Sequence, residues 1–186
     1  MTNEKSVSSS LEHLPVHLRH IYSSNSSAEG RLRAWLQMEK NWDNEWQEGD
    51  WGLSILPFVE LESAFPDEPQ PYIVFTFAVQ MAHCNRIGTL HGGCIATLFD
   101  LLTSMVLLTV NEKPGHWQRL GVTRALNCNY LRPAKAGDQC RVECAIVHVG
   151  RNLSLLKGTL RRVQDNLVLA TCEHHKVNTD TIAGKL

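Results

Sequence analysis

A glycine-rich turn that runs directly into an apolar helix holds the residues best suited to chemistry. Asn85 opens the turn, His91, Gly92 and Gly93 close it, and Asp100 is the one acid in the apolar segment that follows. The first turn of a helix offers unpaired backbone N–H groups and the positive end of the helix dipole, and glycine lets a ligand approach closely. Such a site suits an oxyanion developing on a carbonyl. A lone carboxylate among apolar residues is costly unless it is paired or used, so Asp100 is a candidate catalytic acid.

Helix geometry separates these two chemical groups. Asp100 follows Gly92 by two turns, about 12 Å along a helix, which is too far for both to act on one carbon. Two protomers would solve the geometry if one supplied the Gly92 amide and the other supplied Asp100, and dimerisation would then be a condition of activity. The structural alternative is that the glycines only make a sharp turn and that Asp100 caps or hydrogen-bonds locally.

The elements that must position these groups follow from the hydropathy pattern. The segment 92–110 is apolar nearly all round and predicts a helix wrapped by other structure. An interrupted strand is predicted at 52–61, with a break at Pro57. Five further strands with short turns are predicted at 72–80, 119–131, 139–149, 152–163 and 167–177. The predicted fold class is therefore α+β, a long central helix packed in the curved face of an antiparallel sheet.

An N-terminal extension precedes this domain. Residues 1–10 are polar and expected to be disordered; a short helix broken by Pro15 is predicted at 11–22, and an amphipathic helix from Ala28 to about Trp42. We interpret Trp42, Trp46 and Trp51 as packing residues of the extension. The predicted boundaries are 1–50 for the extension, 51–180 for the main domain and 181–186 for a C-terminal tail.

Composition and charge exclude several function classes. A net charge of −1 gives no global field for nucleic acid or an anionic membrane. The six cysteines lack zinc spacing, and the His174-His175 pair lacks metal partners, so we expect reduced core thiols and no metal site. The segment 94–110 is short for a membrane span and contains Asp100. The N-terminus shows no apolar signal core, which favours the cytoplasm, with the mitochondrion as the alternative.

The run from Asn85 to Asp100, N-x-x-G-T-L-H-G-G-x-x-A-T-L-x-D, resembles the signature of hotdog-fold acyl-CoA thioesterases of the phenylacetate-pathway (PaaI) type. The similarity continues through 121–123, 127–138 and 149–151 and covers about residues 72–177. The family's hotdog fold, a helix wrapped by an antiparallel sheet, agrees with the pattern above.

The resemblance implies specific roles for the residues of the turn and helix. Asp100 matches the family's catalytic acid, which activates water or attacks the thioester directly. Gly92 matches the backbone donor that polarises the thioester carbonyl, and Asn85 matches a polar residue near that carbonyl. Thr123 falls where a hydroxyl helps to hold the water. His91 is expected to order the turn through hydrogen bonds and is a secondary catalytic candidate.

Two further segments match the family's contacts to coenzyme A. Their cations are suited to the nucleotide phosphates, and the alternative is that they are solvated turn charges. The implied contacts are Tyr130, Arg132, Pro133, Lys135, Gly150, Arg151 and Asn152.

The expected function is hydrolysis of acyl-CoA thioesters to a carboxylic acid and coenzyme A, without a metal or redox cofactor. The resemblance implies a homodimer or homotetramer with active sites at the dimer interface. A carrier-protein thioester hydrolase and a non-catalytic acyl-CoA-binding module remain alternatives. The tryptophan-rich helix of the extension would close one end of an acyl pocket or enlarge an oligomer interface. The extension and the loop at 111–119, which contains Trp117, would both tune which acyl chain fits.

Overall fold

A computed structural model describes residues 11–12, 14–24, 27–40, 51–111 and 116–180. Three α-helices and six β-strands form the chain's regular structure within these ranges. The helices are α1 (Val16–Ser24), α2 (Ala28–Lys40) and α3 (Gly92–Met105). The strands are β1 (Val59–Phe65), β2 (Tyr72–Ala78), β3 (Val122–Tyr130), β4 (Gln139–Val149), β5 (Leu153–Arg162) and β6 (Val168–Val177).

The strands form one antiparallel sheet in the order β1-β2-β4-β5-β6-β3. β3 precedes β4 in the chain, but it lies at the edge of the sheet opposite β1 and pairs with β6. Val122 at its start lies opposite Val177, and Tyr130 at its end lies opposite Ala170. Within the described part of the chain the outer edge of β3 has no strand partner.

Helix α3 packs across the sheet and fills its concave face. Its buried side chains include Leu98, Phe99 and Leu102, each at most 1% exposed. The closest approach is at Gly158 on β5, where a Cβ would lie 2.6 Å from the ring of Phe99. Only glycine therefore lets the helix come this near to the sheet. The prediction of an α+β hotdog architecture with a central helix is confirmed.

The structure corrects three predicted element boundaries. The first strand does not begin at Gly52: two 3₁₀ turns, Trp51–Ser54 and Leu56–Phe58, precede β1, and Pro57, which has no N–H to donate to a sheet, lies in the second of these. The central helix is α-helical only to Met105 and continues as a 3₁₀ turn, Val106–Thr109. The first helix starts after Pro15, whose carbonyl accepts from two N–H groups of its first turns.

The described part of the extension shares the core of the main domain. Leu32 and Leu36 of α2 are buried in the same apolar cluster as α3 and the sheet. The buried Arg31 guanidinium donates to the Leu108 carbonyl at 3.2 and 3.3 Å. Tyr22 donates from its hydroxyl to the Gln118 carbonyl at 2.7 Å. These contacts fix the helices of the extension against the end of the central helix and the chain that leads into β3.

The interpretation of Trp51 as a buried packing residue is wrong. Trp51 is 73% exposed, and its indole N–H donates to Thr97 Oγ1 at 2.8 Å on the outer face of α3. Trp42 and Trp46 lie outside the described residues, as do the segments 1–10 and 181–186. By contrast Trp117 is fully buried, and its indole N–H donates to the Gly150 carbonyl at 2.8 Å.

Two properties of the apolar interior bear on the expectations above. All six cysteines are free thiols, three of them buried. The stretch Gly92–Thr109 is long and apolar enough to cross a membrane, but 61% of it is buried inside the fold. That degree of burial is typical of a core helix wrapped by a sheet.

Candidate active site

Asp100 lies on α3, and its carboxylate is next to the start of β3, where it contacts Thr123. Its side chain is 44% exposed in the single chain, which corrects the expectation of a buried acid. Asp100 Oδ1 accepts a hydrogen bond of 2.5 Å from the Thr123 hydroxyl. The predicted partners Asp100 and Thr123 are therefore brought together although they come from different elements.

His174 on β6 completes a short chain of polar groups with these two residues. The ring is fully buried, and its Nε2 lies 2.9 Å from Thr123 Oγ1 and 3.3 Å from Asp100 Oδ1. Its Nδ1 lies 2.7 Å from Thr103 Oγ1. Burial and the positive charge of Lys176 lower the pKa of His174, and the negative charge of Asp100 opposes this shift. With the proton of the neutral ring on Nε2, His174 donates to Thr123 and the Thr123 hydroxyl donates to Asp100. Nδ1 is then an acceptor, so the Thr103 hydroxyl donates to it rather than to the Phe99 carbonyl 2.5 Å away.

Lys176 lies behind Asp100 on the same face of β6 as His174. It is only 4% exposed, and its ammonium group donates to Ser104 Oγ at 2.7 Å. Ser104 in turn donates to the Asp100 carbonyl oxygen at 2.6 Å. Burial lowers the pKa of Lys176 to about 8, against the opposing effect of the Asp100 charge. A buried lysine is therefore linked through Ser104 to the backbone of the residue that carries the candidate catalytic carboxylate.

Neither His174 nor Lys176 is predicted from the sequence as a neighbour of Asp100, although Lys176 lies near the position of a further family contact. A signal was present in β6, where Cys172, His174 and Lys176 alternate with more exposed neighbours. Polar side chains on the buried face of a strand need hydrogen-bond partners inside the protein. Two such residues in one strand are therefore candidates for a functional site.

The turn that begins α3 forms a separate group at the other end of β3. His91 is the N-cap of α3, and its Nδ1 accepts from the Gly93 N–H at 2.9 Å. This cap satisfies the Gly93 amide, whereas the Gly92 N–H has no acceptor among the described residues. The Tyr130 hydroxyl donates to the Gly92 carbonyl at 3.1 Å. The amide of Gly92 is thus held in place and remains available to a ligand.

Asn85 organises the same turn with its side chain. Its Oδ1 accepts from the Ile87 and Thr89 N–H groups at 3.1 and 3.2 Å, and its Nδ2 donates to Thr89 Oγ1 at 2.8 Å. The amide nitrogen carries two protons, so one donor of Asn85 is left after the bond to Thr89.

The two segments expected to contact coenzyme A lie far apart within the single chain. The first, Tyr130 to Lys135, lies against the glycine turn, because the Leu90 N–H donates to the Ala134 carbonyl and Thr89 bridges to Lys135. In this segment Arg132, Pro133 and Lys135 are exposed. The second, Gly150 to Asn152, is the β4–β5 turn, which lies beside the start of β3 because Leu153 pairs with Val177 and Val177 with Val122. Arg151 and Asn152 are exposed there.

The candidate site residues therefore form two half-sites, separated by about 24 Å along β3. We name the group beside Thr123 the acid half-site; it contains Asp100, Thr123, His174, Lys176 and the turn 150–152. We name the group beside Tyr130 the amide half-site; it contains Asn85, His91, Gly92, Tyr130, Arg132, Pro133 and Lys135. The other candidate site residues are therefore divided between the two half-sites, as Gly92 and Asp100 are.

Comparison with known proteins places this arrangement in a family. Residues 87–169 match the model of the thioesterase superfamily. Acyl-coenzyme A thioesterase 13 of Mus musculus is 31% identical over 123 residues, which are 66% of this chain and 81% of that protein. The crystal structure of zebra fish thioesterase superfamily member 2 has a TM-score of 0.66 at 26% identity, covering 79% of this chain and 97% of that chain. The mouse structure of the same name has a TM-score of 0.64 at 25% identity, covering 82% and 98%.

Proposed function

The chain belongs to the thioesterase superfamily and is a thioester hydrolase, and from this premise we propose that it hydrolyses acyl-CoA at sites shared between two protomers. The observation that carries the proposal is the Asp100 carboxylate, which is oriented by the Thr123 hydroxyl and open to solvent on its outer side. A carboxylate held in this way can take a proton from water or attack a thioester carbonyl.

Pairing of β3 with a second copy supplies the missing half of each site. Two β3 edges related by a two-fold axis run antiparallel, so the start of one strand meets the end of the other. The acid half-site of one protomer then faces the amide half-site of its partner. The outer edge of β3 and the half-exposed Asp100 both support this assembly, because none of the described residues covers either of them.

Hydrolysis in such a site requires no group beyond water and the chain's own residues. Asp100 removes a proton as water attacks the thioester carbon, and the carbonyl oxygen becomes an oxyanion. Gly92 of the partner subunit donates its N–H to that oxyanion, with the remaining Asn85 donor beside it. The C–S bond breaks, the proton held by Asp100 passes to the sulfur, and a carboxylic acid and coenzyme A leave. Direct attack by Asp100 would instead form an acyl-aspartyl anhydride that water then hydrolyses.

The coenzyme A part of the substrate is proposed to lie along the dimer interface. Arg132, Lys135 and Arg151 are exposed, with side chains suited to phosphate. In the two-fold arrangement Arg151 of one protomer approaches the other two cations of its partner, which places three positive charges on one nucleotide. We also propose a cytoplasmic location, which the six free thiols support and which imaging of a tagged chain tests.

One experiment separates the proposed reaction from its alternatives. Release of coenzyme A is measured with a thiol reagent across short, long and aromatic acyl-CoAs, with Asp100→Ala as the blank, and the same acyl groups are offered on a carrier protein. Turnover of acyl-CoA that is lost in Asp100→Ala supports the proposal. Turnover only on the carrier protein would identify a carrier-protein hydrolase, and tight binding without turnover would identify a binding module. Wild-type rates in folded Asp100→Ala would contradict the role of the acid.

A further inference from the structure

A cavity of about 160 Å³ lies beside Asp100 and has one wall made by the N-terminal extension. Leu101 and Met105 of α3 line one side of it, and Leu120 lines the side toward β3. Trp35 of α2 and Leu56 line the side contributed by the chain before β1. The residues of this last wall precede the family match at 87–169.

The wall is built into the core and is not a loose cover. Trp35 is 8% exposed and Leu56 is 1% exposed. The Trp35 indole N–H donates to Glu39 Oε1 at 3.0 Å, which fixes the ring one turn before that carboxylate. The end of α2 is held to β1 by an ion pair of 2.8 Å between Lys40 and Glu60. A fixed aromatic wall sets a definite limit to the size of any group inside the cavity.

The position of the cavity suits the acyl group of the substrate. The proposed reaction places the thioester carbon at Asp100, and the cations proposed for coenzyme A are exposed at the surface. The acyl chain should therefore extend from Asp100 away from these cations. Asp100 is one of the cavity's lining residues, and Glu39, Ser104 and Lys176 are its other polar ones. The larger part of the lining is apolar. An apolar cavity of about 150 Å³ holds a molecule of the size of benzene.

We propose that this cavity binds the acyl group, that Trp35 closes its far side, and that the enzyme prefers compact acyl groups, of about six carbons or one ring, to long chains. The inference rests on the proposed acyl-CoA hydrolysis and adds to it a substrate class and a specificity-determining residue. An acyl chain longer than the cavity meets the Trp35 indole and can bind only by displacing a packed aromatic residue, so catalytic efficiency falls with length.

The test compares chain-length profiles of three proteins. kcat/KM is measured from butanoyl- to hexadecanoyl-CoA for the wild type, for Trp35→Ala and for Leu32→Ala. Leu32 is a matched control, because it is fully buried on the same helix but does not line the cavity. For the wild type we expect an optimum near six carbons and a loss of at least about tenfold at sixteen, which is within the range that a pocket wall imposes. Trp35→Ala should move the optimum to longer chains, whereas Leu32→Ala should keep the wild-type optimum.

A graded variant keeps the test decisive if Trp35→Ala does not fold. Trp35→Leu leaves most of the wall in place and should lengthen the optimum by a smaller step. A wild-type optimum at long chains, or Trp35 variants with the unchanged wild-type profile, would overturn the inference while leaving acyl-CoA hydrolysis intact. Absence of hydrolysis of every acyl-CoA by the folded wild type would instead overturn the proposed function, and this inference with it.

Discussion

The two ends of β3 present different chemistry, and they are built in different ways. At the Thr123 end the functional groups depend on the core: His174 is fully buried, Lys176 is 4% exposed, and both reach Asp100 or its neighbours through hydroxyl groups. At the Tyr130 end the groups belong to one local turn, in which Asn85 bonds its own neighbours and His91 caps the helix that follows.

The two half-sites supply different kinds of chemical group. The acid half-site contains two buried titratable side chains, His174 and Lys176, whose pKa values are shifted by burial and by charges on α3 and β6. The amide half-site needs backbone donors with defined directions, and a self-contained turn supplies them without help from the core. Neither end holds both kinds of group, which is the basis for proposing that each site is shared between two chains.

The largest effect is expected when the acid half-site loses its carboxylate. Asp100→Asn preserves the size of the side chain but removes the base, so kcat should fall by about 10²- to 10⁴-fold. The measurement is steady-state release of coenzyme A with circular dichroism as a control for folding. A loss of less than tenfold would show that the acid half-site does not contain the catalytic base or nucleophile.

Mixed dimers test whether the two half-sites really come from different chains. Asp100→Ala disables the acid half-site and Asn85→Ala disables the amide half-site, so each variant alone should be inactive. Random re-association of the two would give half heterodimers with one intact site each, and about a quarter of wild-type activity. Both single variants mixed with wild type under the same conditions serve as controls. No recovery, despite confirmed heterodimers, would mean that each site lies within one chain.

A smaller effect is expected from the hydroxyl that orients the acid. Thr123→Val keeps the shape of the side chain but removes its hydrogen bond to Asp100. A hydrogen bond to a charged group contributes about 1.5–3 kcal/mol, so kcat/KM should fall by about 10- to 100-fold. Thr123→Ser retains the hydroxyl and should remain within a few-fold of wild type. Equal losses in the two variants would assign Thr123 a packing role only.

The smallest effect on activity, and a clear one on stability, is expected at the buried cation behind the acid. The pKa of Lys176 is about 8 in the fold against an ordinary 10.5, so between these pH values the unfolded chain holds a proton that the folded chain has lost. The free energy of unfolding should therefore rise as pH increases from about 8 to about 10.5 through this group. Denaturant unfolding of wild type and Lys176→Met at pH 7.5 and pH 10 measures the difference in this rise.

Lys157→Met is the control for that comparison, because Lys157 is an exposed lysine on β5. It should keep the wild-type dependence on pH, whereas Lys176→Met should lose part of it. The titratable groups near Lys176 are Asp100 on α3, His174 on its own strand and Glu39 on α2, and all three are retained in both variants. The same slope in all three proteins would show that Lys176 does not titrate in this range.

The sequence predicted the strands of the sheet more accurately than the segment before β1. β4 was predicted with its observed bounds, and the buried face of β2 follows the predicted alternation. The segment before β1 was predicted as a strand and forms 3₁₀ turns instead. Alternation is a reliable signal where one face of a strand is buried and the other is open, but Gly52 to Phe58 has no such regular contrast.

By itself, the sequence determined the central helix, the capped glycine turn at its start and the separation of Gly92 from Asp100, because these depend on local spacing and on the rise of a helix. Only the tertiary structure decided that His174 and Lys176 meet Asp100, that Trp35 closes a cavity beside it, and that the two expected coenzyme A segments lie at opposite ends of β3. These contacts follow from the position of β3 next to β6 and from the packing of α2 on the core. Strand order and helix docking are set by long-range burial, which leaves no periodic mark in the chain.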